Sequence, residues 1–109
     1  MKQYLILLKG KKELDYSPEE LQKRLEAYRI WVTTIHDHYV TDNRLERRGA
    51  HLTKKDEIAT DGPFLEAKEI IAGFIIIKAS NLDEAVEISN SSPLLDYFEM
   101  YVRPMIAHE

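Results

Sequence analysis

Ile70-Ile71-Ala72-Gly73-Phe74-Ile75-Ile76-Ile77-Lys78-Ala79 runs through eight residues without a polar side chain before reaching Lys78. Successive side chains of a strand point to opposite faces, so such a run reads as a strand buried on both sides. Tyr4-Leu5-Ile6-Leu7-Leu8 has the same character and ends in the charged, glycine-containing stretch from Lys9 to Glu13. Two strands of this kind are expected at the centre of one sheet.

The flanking segments supply the remaining elements. Ser17-Pro18-Glu19-Glu20 is a helix start, with Ser17 at the N-cap, Pro18 at the first helical position and Glu20 completing a capping box. Leu21, Leu25, Tyr28, Val32, Ile35 and Tyr39 recur at spacings of three and four, which predicts a helix to about Tyr39 with one stripe on the sheet. A polar Thr41-Asp42-Asn43 turn then leads to Leu45 to Leu52, read as a charged edge strand. Thr53 to Glu69 is largely polar, contains the turn signal Asp61-Gly62-Pro63, and reads as an excursion with a short extra hairpin. Asn81, with Glu84 three residues on, caps a second helix that ends near Ser91-Ser92-Pro93. From Tyr97 to Met105 the pattern alternates, with Phe98, Met100 and Val102 on one face and Tyr97, Glu99, Tyr101 and Arg103 on the other.

Two βαβ units in 109 residues predict a single α+β domain over residues 1–109, a ferredoxin-like βαββαβ sandwich with both helices on one face of a four-stranded antiparallel sheet. Two helices cover one sheet face only, and a large exposed apolar face is rare in a monomer. A homodimer packed sheet to sheet, with clefts at its edges, is the expected remedy. The formal charge of −4 offers no attraction to nucleic acid. The absence of cysteine removes disulfides, thiolate nucleophiles and Cys-based metal sites. The opening apolar stretch is too brief for a signal peptide or a membrane span, so the cytoplasm is the expected location and no membrane partner is expected.

Asp61-Gly62-Pro63-Phe64-Leu65-Glu66-Ala67-Lys68-Glu69, followed after three residues by Gly73-Phe74, resembles the signature of the DGPF proteins of the YCII-related superfamily. The likeness extends to the opening strand, both helix starts and the closing Val102-Arg103-Pro104. The resemblance implies a dimeric α+β barrel with a small-molecule cleft. In the wider superfamily a His of the first helix is proposed to pair with an Asp after the second, and one member is an aromatic-ring dehydrochlorinase. Here those two positions are Tyr28 and Ser92, so neither half of that pair is present. The resemblance also implies a setting beside alternative sigma factors.

The candidate ligand-binding residues are Asp61, Phe64, Tyr101, Arg103, Tyr28, His51 and Lys68. Asp61 reads either as a turn-capping acceptor or as a carboxylate at a cleft mouth, with Phe64 as an anchor or a wall against a ring. Lys68, with Glu66 and Glu69, offers a cation and acid–base carboxylates, or only a solvated turn. Arg103 shares a strand face with Tyr101 and can fork onto a carboxylate, or form an interfacial ion pair. Tyr28 is a core tyrosine or a proton donor in place of His. His51 is a lone strand histidine able to reach a cleft. His36-Asp37-His38 cannot readily chelate one ion from a helix, and no metal or cofactor is expected. No glycine-rich phosphate loop, Gly-x-Ser-x-Gly elbow or His-Glu-x-x-His occurs. The expected function is a small-molecule-binding dimer, with a cofactor-free lyase or isomerase acting on a small aromatic or carboxylate substrate as its enzymatic form. The other reading is a non-catalytic regulatory or protein-interaction module.

Overall fold

The structure, a computed structural model, describes residues 1–11, 17–60 and 70–108. In chain order the elements are β1 (Lys2–Gly10), α1 (Pro18–Thr34), β2 (Tyr39–Arg44), β3 (Ala50–Lys54), β4 (Glu57–Thr60), β5 (Ile71–Ala79), α2 (Leu82–Asn90) and β6 (Phe98–Pro104), with a 3-10 turn at Pro93–Asp96. Strands β2-β5-β1-β6 form one four-stranded sheet, antiparallel throughout, and β3-β4 a separate pair. This is the ferredoxin-like α+β arrangement, with the two apolar strands at its centre as their sequences require.

The helices cover one sheet face. Tyr4, Ile6 and Leu8 of β1 and Ile75 and Ile77 of β5 are buried there against Trp31 of α1, Ile35 at its C-cap, Ala85 of α2 and Leu94. The alternate residues Leu5, Leu7, Phe74 and Ile76 form the opposite face and are only half-buried. Because Leu5 pairs with Arg103 and Leu7 with Tyr101, those two β6 side chains belong to this open face as well.

Both helix starts form as their sequences predict. Ser17 accepts from the Glu20 N–H at 3.2 Å, and Asn81 from the Glu84 N–H at 2.8 Å. The end of α1 differs from expectation: the helix stops at Thr34, not near Tyr39. The hydroxyls of Thr33 and Thr34 take up the carbonyls of Arg29 and Trp31, a local alternative that β-branched hydroxyl residues offer at helix ends. The buried stripe also turns: Trp31 is its centre, while Leu21 is exposed.

The largest correction concerns the edge strand. Thr41-Asp42-Asn43 is not a turn; it lies within β2, which pairs with β5 from Tyr39 opposite Ile77 to Arg44 opposite Gly73. Tyr39-Val40-Thr41 are strong strand formers and begin it. The segment Leu45 to Leu52, read as the edge strand, instead supplies a connection and then the first three residues of β3. The expected extra hairpin is β3-β4, turning at Asp56, whose φ of 66° is one that Asp tolerates.

Gly73 lets β2 approach β5. A Cβ at this position would lie 2.8 Å from the Asn43 carbonyl oxygen and 3.4 Å from the Arg44 Cα. Gly73→Ala is expected to push β2 outward and to cost about 1–3 kcal/mol, the range for forcing a methyl group into packed structure. Urea denaturation would measure the loss, and an unchanged midpoint would mean that β2 retreats freely.

Candidate functional site

Between α1 and the β2 side of the sheet lies a cavity of about 460 Å³. Arg24, Leu25 and Tyr28 reach it from α1, Asp42 and Arg44 from β2, and Ile75 from β5, while Leu8, Leu94 and Phe98 complete its apolar walls. The helix spacing brings residues 24, 25 and 28 to one side, since positions three and four apart share a face.

At its wall the Tyr28 hydroxyl donates a hydrogen bond to Asp42 Oδ2. Asp42 faces the helices because it pairs with Ile75, a residue of the buried face. A β-bulge at Val40, between the Tyr39 and Thr41 pairings, brings Tyr39 to the same face three residues earlier. Partial burial, then the hydrogen bond and negative charge of Asp42, push the Tyr28 phenol far above its ordinary value of 10.0. Burial followed by a hydrogen bond to Asp42 raises Tyr39 as well. Both phenols therefore hold their protons, and Asp42 is the group with lone pairs to offer. The Tyr28 ring is fixed from behind by Trp31, with centroids 5.9 Å apart.

Two guanidinium groups flank this pair. Arg24 lies over the rings of Tyr97 and Phe98, at 5.3 and 5.7 Å from their centroids. Arg44 shares the buried face through its pairing with Gly73, and no carboxylate pairs with its side chain among the described residues.

Of the four residues singled out from sequence that lie among the described residues, Tyr28 alone lines this cavity. Tyr101 and Arg103 stand on the opposite sheet face, and His51 borders a separate depression of about 660 Å³ with Lys9, Arg47 and Arg48. Asp61, Phe64 and Lys68 lie outside the described residues, as do Glu66 and Glu69. Ser92 is buried and occupied in capping, accepting from the Leu94 N–H at 3.2 Å. His38 is likewise engaged: its Nδ1 lies 2.8 Å from the Lys78 carbonyl oxygen. Among the described residues no group of His, Cys, Asp and Glu is placed to hold a metal ion. None of their helices is long and apolar enough to cross a membrane.

Asp42 was missed from sequence because it was read as a turn residue; Arg44 reads from sequence as one of a basic patch with Arg47, Arg48, Lys54 and Lys55, either an anion site or an edge-strand safeguard, and Arg24 was not singled out. The available signal was Tyr39-Val40-Thr41, three strand formers placed where the helix stripe was thought to end.

Residues 3–106 match the YCII-related domain. The chain belongs to the YCII-related family. The chain is similar to Uncharacterized protein R00369 of Rhizobium meliloti (strain 1021), 38% identical over 58 residues. That match spans 50% of this chain and 45% of the length of the relative. Among solved structures it is similar to the 5-chloro-2-hydroxyhydroquinone dehydrochlorinase of Burkholderia phenoliruptrix AC1100 in complex with 2,5-dihydroxybenzoquinone. The TM-score is 0.55 at 18% identity, covering 98% of this chain and 95% of the other, so the two chains share a fold along their length.

Proposed function

We propose that the protein is a homodimeric small-molecule-binding member of the YCII-related family that performs cofactor-free acid–base chemistry, as a lyase or isomerase, on a small aromatic or carboxylate substrate in the cavity under α1. The observation that carries this reading is the Tyr28–Asp42 pair at the cavity wall. A carboxylate held by a phenol that keeps its own proton is a fixed proton acceptor. The dehydrochlorinase of similar fold, solved in complex with a quinone, adds support for a ring-sized ligand.

In this scheme Asp42 takes a proton from a carbon next to a substrate carbonyl, and the C–H electron pair moves into an enolate. Return of the proton at another carbon completes an isomerisation; departure of a leaving group completes an elimination. Tyr28 orients Asp42 through its hydrogen bond and is a positioning residue, in contrast to the proton donor considered from sequence. Tyr101 and Arg103 belong to the face that the second copy would cover.

The test is proton exchange in D₂O, followed by NMR, for a panel of hydroxylated aromatic acids and keto acids. Asp42→Asn is expected to slow exchange of an accepted compound by about 10²–10⁴-fold, the usual contribution of a general base. Tyr28→Phe should act less strongly and shift the pH profile. Exchange unaffected by Asp42→Asn in a folded variant would end the reading.

A further inference from the structure

Asp42 and Arg44 stand two residues apart on β2 and pair with Ile75 and Gly73, so both belong to the helix-covered face, and both border the cavity under α1. Two residue rises separate them along the strand, about 6.5 Å. Taking a proton from a carbon beside a carbonyl leaves negative charge on the carbonyl oxygen, and that charge is stabilised only where a donor is aimed at it. Leu8, Leu25, Ile75, Leu94 and Phe98 offer none. The polar groups at the wall are not equivalent. Tyr28 already donates its hydroxyl hydrogen bond to Asp42. Arg24 is held over the rings of Tyr97 and Phe98 and has a further interaction of its own. Asn43 borders the cavity, but its pairing with Phe74 assigns its side chain to the opposite sheet face. Arg44 combines the right face with a permanent charge and a fork of N–H donors.

We infer that Arg44 is a second catalytic residue of this site, donating to the oxygen of the enolate that forms as Asp42 takes the proton. The assignment rests on the proposed function and adds to it the group that meets the developing charge. The C–H bond breaks and its proton goes to the Asp42 carboxylate. The electron pair left on carbon becomes the C=C bond, and the π pair of the carbonyl moves onto oxygen, where the Arg44 guanidinium donates. Arg44 itself gives up no proton, because a guanidinium stays protonated. A substrate whose carbanion charge cannot reach an oxygen beside that carbon gains nothing from it. A donor of this kind in a water-excluded site is worth about 10²–10³ in rate. Arg44 stands at an exposed strand position, where water screens its charge, and about tenfold is expected.

The probe is para-nitrophenol, which colours only when ionised and then carries an oxyanion on a single ring. It is titrated with pH against the full chain carrying Asp42→Asn, whose neutral amide stands in for the base once protonated. The anion is expected to bind at least about tenfold more tightly than the neutral phenol, so the bound probe colours at lower pH than the free one. Arg44→Gln added to that chain should abolish the preference and leave binding of the neutral phenol unchanged. With Asp42 intact, Arg44→Gln should slow proton exchange of an accepted keto acid by about tenfold. No binding of the probe, no preference for its anion, or a preference that survives Arg44→Gln and is lost in Tyr28→Phe, Arg24→Gln or Asn43→Ala overturns the assignment. None of these results touches Asp42 as the base, which stands or falls on the exchange measured with Asp42→Asn alone.

Discussion

Trp31→Ala is expected to remove about 3–5 kcal/mol of stability, the range for deleting a buried aromatic side chain. Trp31 is only 4% exposed, and it is the residue through which α1 enters the core. Its indole N–H donates to Ser91 Oγ at 2.9 Å, and Ser91 in turn donates to the Ile88 carbonyl at 2.6 Å, so one side chain joins α1 to the end of α2. Domains of this size commonly have about 5–15 kcal/mol in total, so the variant should be close to unfolding at room temperature. Urea denaturation followed by circular dichroism is the proper measurement, because Trp31 is the sole tryptophan and its fluorescence disappears with it. Trp31→Phe separates the contributions: it keeps a ring in the core, loses the hydrogen bond, and should cost on the order of 1 kcal/mol beyond the change in packing. A loss below that from the alanine variant would show that α1 is held elsewhere. The same residue backs the Tyr28 ring, so loosening it should disturb the orientation of Asp42 before the fold fails.

Leu7→Arg is expected to break the proposed dimer into monomers. Leu7 lies at the middle of the open sheet face, opposite Phe74 on one side and Tyr101 on the other. In a sheet-to-sheet dimer two copies of the new guanidinium would be brought together and desolvated, at a cost of several kcal/mol. Each 1.4 kcal/mol is about a factor of ten in dissociation constant, so weakening by 100-fold or more is expected. Sedimentation equilibrium of the two proteins at micromolar concentration measures it. A native protein that sediments as a monomer would remove the dimer from the proposal. The Tyr28–Asp42 pair is on the other face of the sheet, so the variant should remain folded as a monomer.

The fold was legible where one force dominated. Runs such as Phe74 to Ile77 must leave water, and their β-branched isoleucines favour a buried strand, while Ser17 and Asn81 cap helices by a local hydrogen bond that needs no tertiary partner. Legibility failed at Tyr39, which satisfied the helix spacing and strand propensity equally; its pairing with Ile77 decided the matter, and that contact spans 38 residues. With Tyr39 assigned to the helix, Asp42 became a turn residue. The site was harder still, because its members come from α1 and β2 and no short motif contains both. Tyr28 alone was visible, as the occupant of a position where the family resemblance implied His. Tyr101 and Arg103 were correctly placed on one face, but which face carries the cavity depends on where the helices pack.

The bulge at Val40 has a meaning for how this chain can vary. Side chains along a strand are counted in twos, and the extra residue resets the count so that Tyr39 and Asp42 fall on the same side. Loss of Thr41 would carry Asp42, and loss of Asn43 would carry Arg44, to the other side of the sheet while leaving the central strands β1 and β5 paired as before. Such a chain would keep its architecture and lose its chemistry. Changes of length in the connection from Glu46 to Gly49 have no such effect, since the β2–β5 hydrogen bonding ends with the Leu45 N–H on the Ala72 carbonyl. Insertions and deletions among related sequences thus divide at Arg44 into those that alter what the protein does and those that alter only its outline.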